Sequence, residues 1–225
     1  MYKSLCIIPA RGGSKRIPKK NIKEFHGKPI IAYSIKTALE SGLFQEVMVS
    51  TDCEEIKRIS KQYGAEVPFL RSESNSDDFA TTVDVVNEVL ESYQKMGRTF
   101  EKLCILYPCA PFVNKEDLHR ADQMLGKNDC VIPVVKYDFP PLRSFILIDS
   151  TLRYKWPEFE KVRSQDMEVF YHDVGQWYFF KNEEKSHISL LKLRTAPFVL
   201  DSNKVQDIDT LEDWKQAERK YELLK

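Results

Sequence analysis

The chain has 225 residues, and Lys plus Arg and Asp plus Glu each total 34, so its formal net charge is zero. That length buries a sizeable core in one domain without disulfide or metal staples. A neutral balance excludes a bulk nucleic-acid or anionic-membrane binder but leaves room for a local cationic pocket.

Apolar residues at 42% and charged residues at 30% are ordinary for a soluble globular protein. No apolar run approaches the roughly 18 residues of a membrane span, and the first one leads into a charged loop instead of a leader cleavage site. The five cysteines are scattered, with no CxxC pair. Reduced thiols in a cytoplasmic protein without structural zinc are expected.

Residues 5–9 read as a short buried strand. Behind Pro29, the residues Ile30, Ile31, Ser34, Ala38 and Leu39 form a helical stripe that stops at Gly42. A strand over 47–50, a helix over 54–63 stopped by Gly64 and a third short strand over 67–70 follow. Thr81 or Thr82 caps the next helix, whose face is Val85, Val86, Val89, Leu90 and Tyr93. Then come a strand at 103–107, a helix over 114–126 opened by Asn114 and Asp117, and a strand at 131–135. A last strand at 205–208 precedes a helix capped by Thr210. This alternation predicts an α/β fold with a doubly wound, mostly parallel sheet. Its ligand site belongs at the edge where the loops leave the strand ends.

The rhythm breaks after Lys136. Twelve aromatic side chains fall between Tyr137 and Phe180, and Pro140, Pro141 and Pro157 interrupt helices there. Such a segment reads as an inserted β-rich arm whose apolar face needs covering, either as extra core or as a subunit interface. The irregular sequence favours the interface, and with it a homodimer.

Two clusters carry candidate chemistry. Arg11, Lys15, Arg16, Lys19 and Lys20 place five cations within ten residues around Gly12 and Gly13. A solvated charge run is one reading. The position after the first apolar strand points to a polyphosphate, because glycines let backbone N–H groups approach it and the cations offset its charge. Neither a Walker loop nor GxGxxG is present. Asp207 and Asp209, two apart at a strand end, would share one face and suit Mg²⁺ with substrate phosphates. The other reading makes them turn and capping residues before Thr210. His172 and Asp173, neighbours on a strand, point to opposite faces, which argues against a Ser-His-Asp triad.

The run Ile8-Pro9-Ala10-Arg11-Gly12-Gly13-Ser14-Lys15-Arg16-Ile17-Pro18-Lys19-Lys20-Asn21 closely resembles the signature loop of the acylneuraminate cytidylyltransferases, the CMP–sialic acid synthetases. The likeness continues through Val49-Ser50-Thr51-Asp52, Ser76-Asp77, Ala80-Thr81-Thr82 and Asp207-Ile208-Asp209-Thr210. The pseudaminic acid branch fits best, through Phe69-Leu70-Arg71-Ser72 and Tyr171-His172-Asp173-Val174-Gly175-Gln176-Trp177.

The resemblance implies a Rossmann-like nucleotidyltransferase domain over residues 1–225, with 137–180 as a dimerisation and acceptor-sugar region. It implies transfer of CMP from CTP to a nine-carbon acidic sugar. Arg11 and Lys20 would contact the CTP phosphates, within a nucleotide site of Ala10, Gly12, Gly13, Ser14, Lys15 and Asn21. Arg71 would read cytosine beside Thr81 and Thr82. Asp207 and Asp209 would hold Mg²⁺, and Arg11, Lys20 and Asp209 would be the catalytic residues.

Two stretches depart from the sialic-acid pattern. Tyr107-Pro108-Cys109-Ala110-Pro111-Phe112-Val113 stands where Gln-Pro-Thr-Ser-Pro-Leu-Arg is usual, and His172-Asp173-Val174-Gly175 where Arg-Pro-Asn-Gly is usual. The nucleotide half is thus kept and the sugar half altered. For the acceptor, Arg163 or Arg143 is expected to meet the carboxylate. Tyr107, Phe170, Tyr171, Trp177 and Tyr178 would give an aromatic lining, unless they are only dimer core. His172 and Gln176, on one strand face, would hydrogen-bond an amide or hydroxyl. Pseudaminic acid is the expected acceptor. N-acetylneuraminic or legionaminic acid is the alternative within the class, and a non-catalytic nucleotide-binding module the alternative outside it.

Overall fold

The computed structural model describes residues 2–182 and 194–224. Its first strand, β1 (Tyr2–Pro9), has Leu5, Cys6, Ile7 and Ile8 all fully buried. Successive strand side chains face opposite ways, so Cys6 and Ile8 enter one core cluster and Leu5 and Ile7 another. The first cluster is covered by α1 (Ile31–Ser41), α2 (Glu54–Gln62) and a helix further on. On the other face, α3 (Thr82–Lys95) contributes Val86, Val89 and Tyr93. The helix completing the first face is α4 (Lys115–Leu125), with Leu118, Ala121 and Leu125. Helices on both faces make the sheet doubly wound.

The loop after β1 holds a small hairpin, β2 (Glu24–Phe25) with β3 (Lys28–Pro29). The main sheet continues with β4 (Glu46–Ser50), β5 (Phe100–Leu106) and β6 (Cys130–Lys136). A separate hairpin follows, β7 (Phe145–Ile148) with β8 (Thr151–Tyr154), and then β9 (Tyr171–Asp173), β10 (Trp177–Lys181) and β11 (Thr195–Val199). The sheet order is β11-β6-β10-β5-β1-β4, with β9 also paired to β6. β1 is parallel to β4 and β5, and β11 is parallel to β6. Within the main sheet, among the described residues, only β10, lodged between β5 and β6, and the short β9 run antiparallel to their neighbours.

Three expectations change. Residues 67–70 form no strand; a single bridge joins Met48 to Glu66, and Pro68, which has no N–H to donate, ends the pairing. Residues 205–208 form none either, and the strand of this region is β11, on the sheet edge where Pro197 is tolerated.

The aromatic stretch also divides. Trp177, Tyr178, Phe179 and Phe180 are all buried in β10 and belong to the central core. The β7–β8 hairpin instead leaves Phe145, Leu147 and Leu152 at 53%, 69% and 64% exposure.

The last helix, α5 (Leu211–Leu223), is fixed by a reciprocal capping box between Thr210 and Asp213. Its Trp214 and Ala217 pack with Ile17, Phe25, Ile30 and Tyr33 in a third cluster. That contact brings the segment carrying Asp207 and Asp209 against the basic loop. Among the described residues, no helix is long and apolar enough to cross a membrane.

Candidate active site

β1, β4 and β5 end along one edge of the sheet, and β10 begins there, with Trp177 opposite Leu106. The loops leaving this edge enclose a cavity of about 330 Å³. Of the expected nucleotide and metal residues, Arg11, Ser14, Lys15, Lys20, Asn21, Arg71, Thr81, Thr82, Asp207 and Asp209 all line it. Tyr107 lines it as well.

The basic loop is built by local contacts. Gly12 donates its N–H to Asp52 Oδ1 at 2.8 Å, and a Cβ at Gly12 would stand 3.0 Å from the Cys53 Cβ. Glycine is therefore required there by close packing against the loop after β4. Asn21, almost fully buried, donates to the Arg11 carbonyl at 2.9 Å and ties the two ends of the loop together. Lys19 adopts the left-handed conformation at φ 53° and ψ 33°, a strained state for a residue with a side chain. The 3₁₀ turn it starts aims Lys20 at the far wall.

Lys20 donates to the Ile208 carbonyl at 2.6 Å, and its Nζ lies 3.4 Å from Asp209 Oδ1. Arg16 reaches the same carboxylate oxygen at 2.9 Å. Across the cavity, Asp78 binds Lys15 and lies 3.0 Å from the Arg11 guanidinium, which also donates to the Asp77 carbonyl at 2.7 Å. The Lys15 bond is the main cause of a lowered Asp78 pKa, opposed by desolvation and helped by the positive charges of Lys15 and Arg11. The cations that would meet a polyphosphate are thus held by two aspartates at opposite ends of the pocket.

Arg71 is only 8% exposed and is fixed by bonds from Nε to Ser50 Oγ at 3.0 Å and from Nη2 to the Ser50 carbonyl at 2.6 Å. Burial lowers its pKa, against the pull of Asp52 and Glu88. Thr82 Oγ1 and Tyr107 Oη stand 3.0 Å apart, joining the start of α3 to the end of β5. Burial raises the Asp207 pKa, and the neighbouring Asp209 carboxylate raises it further. Burial pushes the Cys109 thiol up to about 12, so it stays protonated and donates to Asn21 Oδ1 at 3.4 Å. It is a packing donor, not a nucleophile.

Several expected residues lie elsewhere. Ala10, Gly12 and Gly13 belong to the loop but do not line the cavity, and Ala10 is fully buried with its N–H on the Ser50 carbonyl. Arg143 lies beside Tyr137 and Phe139 in the turn before the β7–β8 hairpin, and Arg163 is exposed and paired with Asp166 at 2.6 Å. Neither guanidinium reaches the cavity. Gln176 and His172 do not share a strand face, because Gly175 at φ 60° turns the chain between β9 and β10. Gln176 is buried, with its amide on the Lys204 carbonyl at 3.0 Å.

His172 packs on Tyr137 at 4.7 Å and lines a second concavity of about 580 Å³, which shares Gly175, Gln206 and Asp207 with the first. The expected aromatic lining is mostly absent from the site. Trp177 packs in the core on Phe179 and Phe198, and Tyr178 donates to Asp173 at 2.6 Å. Phe170 and Tyr171 line neither concavity.

Sequence reasoning missed three participants. Asp78 and Gln206 sit in loops where period and propensity carry no signal. Arg16 was visible only as one member of the cation run.

The fold of the chain matches a solved structure of CMP:2-keto-3-deoxy-manno-octonic acid synthetase complexed with CTP, with a TM-score of 0.69 at 17% identity, covering 96% of this chain and 97% of that one. The architecture is therefore a cytidylyltransferase fold. The chain itself belongs to the cytidylyltransferase family, whose model matches residues 5–215. It is 41% identical to the pseudaminic acid cytidylyltransferase of Campylobacter jejuni, over 98% of this chain and 97% of that protein. It is 35% identical to the CMP-N,N'-diacetyllegionaminic acid synthase of Legionella pneumophila, over 97% and 96% respectively.

Proposed function

We propose that this chain transfers CMP from CTP to pseudaminic acid. The observation that carries the reading is the single cavity where the basic loop, Arg71 and the Asp207–Asp209 pair converge, in a chain with near full-length similarity to a pseudaminic acid cytidylyltransferase. The sugar's anomeric hydroxyl attacks the α-phosphate of CTP, a new P–O bond forms, and the α–β bridge breaks to release pyrophosphate. Such a transfer depends on positioning and charge neutralisation more than on covalent help. Arg11, Lys15 and Lys20 hold the phosphates in this reading. Arg71, rigid on Ser50, reads the base beside Thr82.

Asp207 and Asp209 fit a hard divalent cation. They are adjacent carboxylates whose mutual repulsion a cation relieves, and Mg²⁺ takes one or two protein carboxylates plus substrate phosphates. Mg²⁺ bound there supplies Lewis-acid polarisation of the α-phosphate. Among the residues lining the cavity there is no histidine, and the protonated Cys109 cannot act as a base.

The second concavity suits the acceptor. It opens off the nucleotide cavity at Gly175, Gln206 and Asp207, and its walls include Val135, Val174 and Val205 alongside His172 and Lys220. Pseudaminic acid ends its side chain in a methyl group where N-acetylneuraminic acid ends in a hydroxymethyl group. The three valines offer that methyl group an apolar face, while His172, Ser202 and Lys220 can meet the sugar's polar groups. Pyrophosphate release from CTP, assayed with each acid as acceptor, tests the reading. The five free thiols fit a reducing, cytoplasmic setting.

The same reading includes a homodimer. A two-stranded hairpin is marginal by itself, and β7–β8 turns Phe145, Leu147 and Leu152 outward, which a second copy would cover. Light scattering at micromolar concentration is expected to return about twice the 26.3 kDa chain mass. A monomer mass would refute the dimer and leave the chemistry untouched.

A further inference from the structure

The acidic pair rides on a segment that neither a strand ladder nor a helix supports. Residues 205–209 lie in neither a strand nor a helix and pair with no strand among the described residues, and a short 3₁₀ turn, Ser202–Lys204, precedes them. Carbonyl groups in such a segment need partners from side chains. Three side chains from three different places supply them. Lys220, on α5, donates to the Val205 carbonyl at 2.7 Å and to the Ser202 carbonyl at 3.4 Å. Gln176, from the turn between β9 and β10, donates to the Lys204 carbonyl at 3.0 Å. Lys20, from the basic loop, takes the Ile208 carbonyl at 2.6 Å. Meanwhile Val205 and Ile208 are buried in two different clusters. With those two side chains anchored inward, Asp207 and Asp209 are left on the cavity wall.

We propose that Gln176 and Lys220 are positioning residues: they clamp the backbone before Asp207 so that the acidic pair faces the cavity. This rests on the reading of Asp207 and Asp209 given above. It also gives Gln176 a role other than sugar contact, and it gives one to Lys220, which no sequence motif marks. A charged donor on a carbonyl is among the stronger hydrogen bonds, and Lys220 is tethered by the helix that Thr210 and Asp213 cap. The start of α5 also holds the Asp209 N–H, through Asp213 Oδ2 at 3.1 Å.

The test compares Lys220→Met, which keeps bulk and loses the donor, with Lys220→Arg, which keeps a donor. Gln176→Met is the parallel variant, and because Gln176 is buried, Lys220→Met carries the test if Gln176→Met does not fold. Amide hydrogen exchange of residues 205–209 in the substrate-free protein is read first. Roughly tenfold faster exchange is expected in Lys220→Met, with near-parent exchange in Lys220→Arg, because losing the clamp lowers the local opening free energy. Turnover should fall about tenfold with the KM for CTP within about twofold, the pattern of a lost transition-state arrangement.

Unchanged exchange overturns the clamp. So does faster exchange with unchanged turnover, since the clamp would then position nothing that matters. If the parent protein transfers no nucleotide at all, the functional reading fails, while the exchange measurement still decides whether Lys220 holds the segment.

Discussion

Lys20→Ala should lower turnover by at least about 100-fold, the usual cost of deleting a charge that stabilises a transition state in a closed site. The expectation comes from where the left-handed turn at Lys19 aims the side chain. Nζ lies between the basic loop and the acidic segment, 2.6 Å from the Ile208 carbonyl and 3.4 Å from Asp209. In the proposed reaction it meets negative charge moving towards the leaving pyrophosphate. The fold should survive, because one partly buried carbonyl loses one donor, a cost of about 1–3 kcal/mol. Turnover and thermal unfolding measured on the same preparation separate the two effects. Turnover within about threefold of the parent, a change under ~1 kcal/mol in the barrier, would remove Lys20 from the chemistry.

Asp209→Asn should come next in severity, and its signature is different. The substitution keeps the shape of the side chain but removes the charge that Arg16 meets at 2.9 Å and Lys20 at 3.4 Å. A hard cation loses one of two protein carboxylates, so the Mg²⁺ midpoint should rise about tenfold or more and maximal turnover should fall with it. The measurement is a Mg²⁺ titration of activity at saturating CTP and sugar. An unshifted midpoint with an unchanged maximal rate would clear Asp209 of a metal role and leave Asp207 and Asp209 as turn residues before α5.

Much of the nucleotide half was legible in the sequence, for simple reasons. The apolar run in β1 is buried on both faces, so it stands out in composition. The helix starts at Thr81, Asn114 and Thr210 announce themselves by side chains that accept the N3 backbone N–H. The basic loop is dense enough in charge to read without geometry.

Asp207 and Asp209 do line the cavity, but not by the route expected. Period two assumed a strand, whereas an irregular segment clamped by side chains brings both to the cavity. Arg143 and Arg163 show the opposite failure. Each is a cation in an aromatic neighbourhood, and nothing local to the chain says that the first lines a separate concavity beside an outlying hairpin and the second pairs with Asp166. Gln176 was drawn to the acceptor by an alternation that the left-handed turn at Gly175 breaks. The aromatic stretch misled for a related reason. Four of its rings form β10, whose insertion between β5 and β6 is a matter of long-range topology.

CMP transfer to pseudaminic acid is decided by a comparison of two acceptors. Pyrophosphate release is followed at saturating CTP and Mg²⁺ with pseudaminic acid and with N-acetylneuraminic acid in turn, and kcat/KM is obtained for each. The account predicts turnover with pseudaminic acid at a kcat/KM at least about 100-fold above that for N-acetylneuraminic acid, the scale on which unpaired polar groups discriminate substrates. Equal values, or a preference for N-acetylneuraminic acid, would contradict the acceptor assignment, and no pyrophosphate with either sugar would contradict the account as a whole.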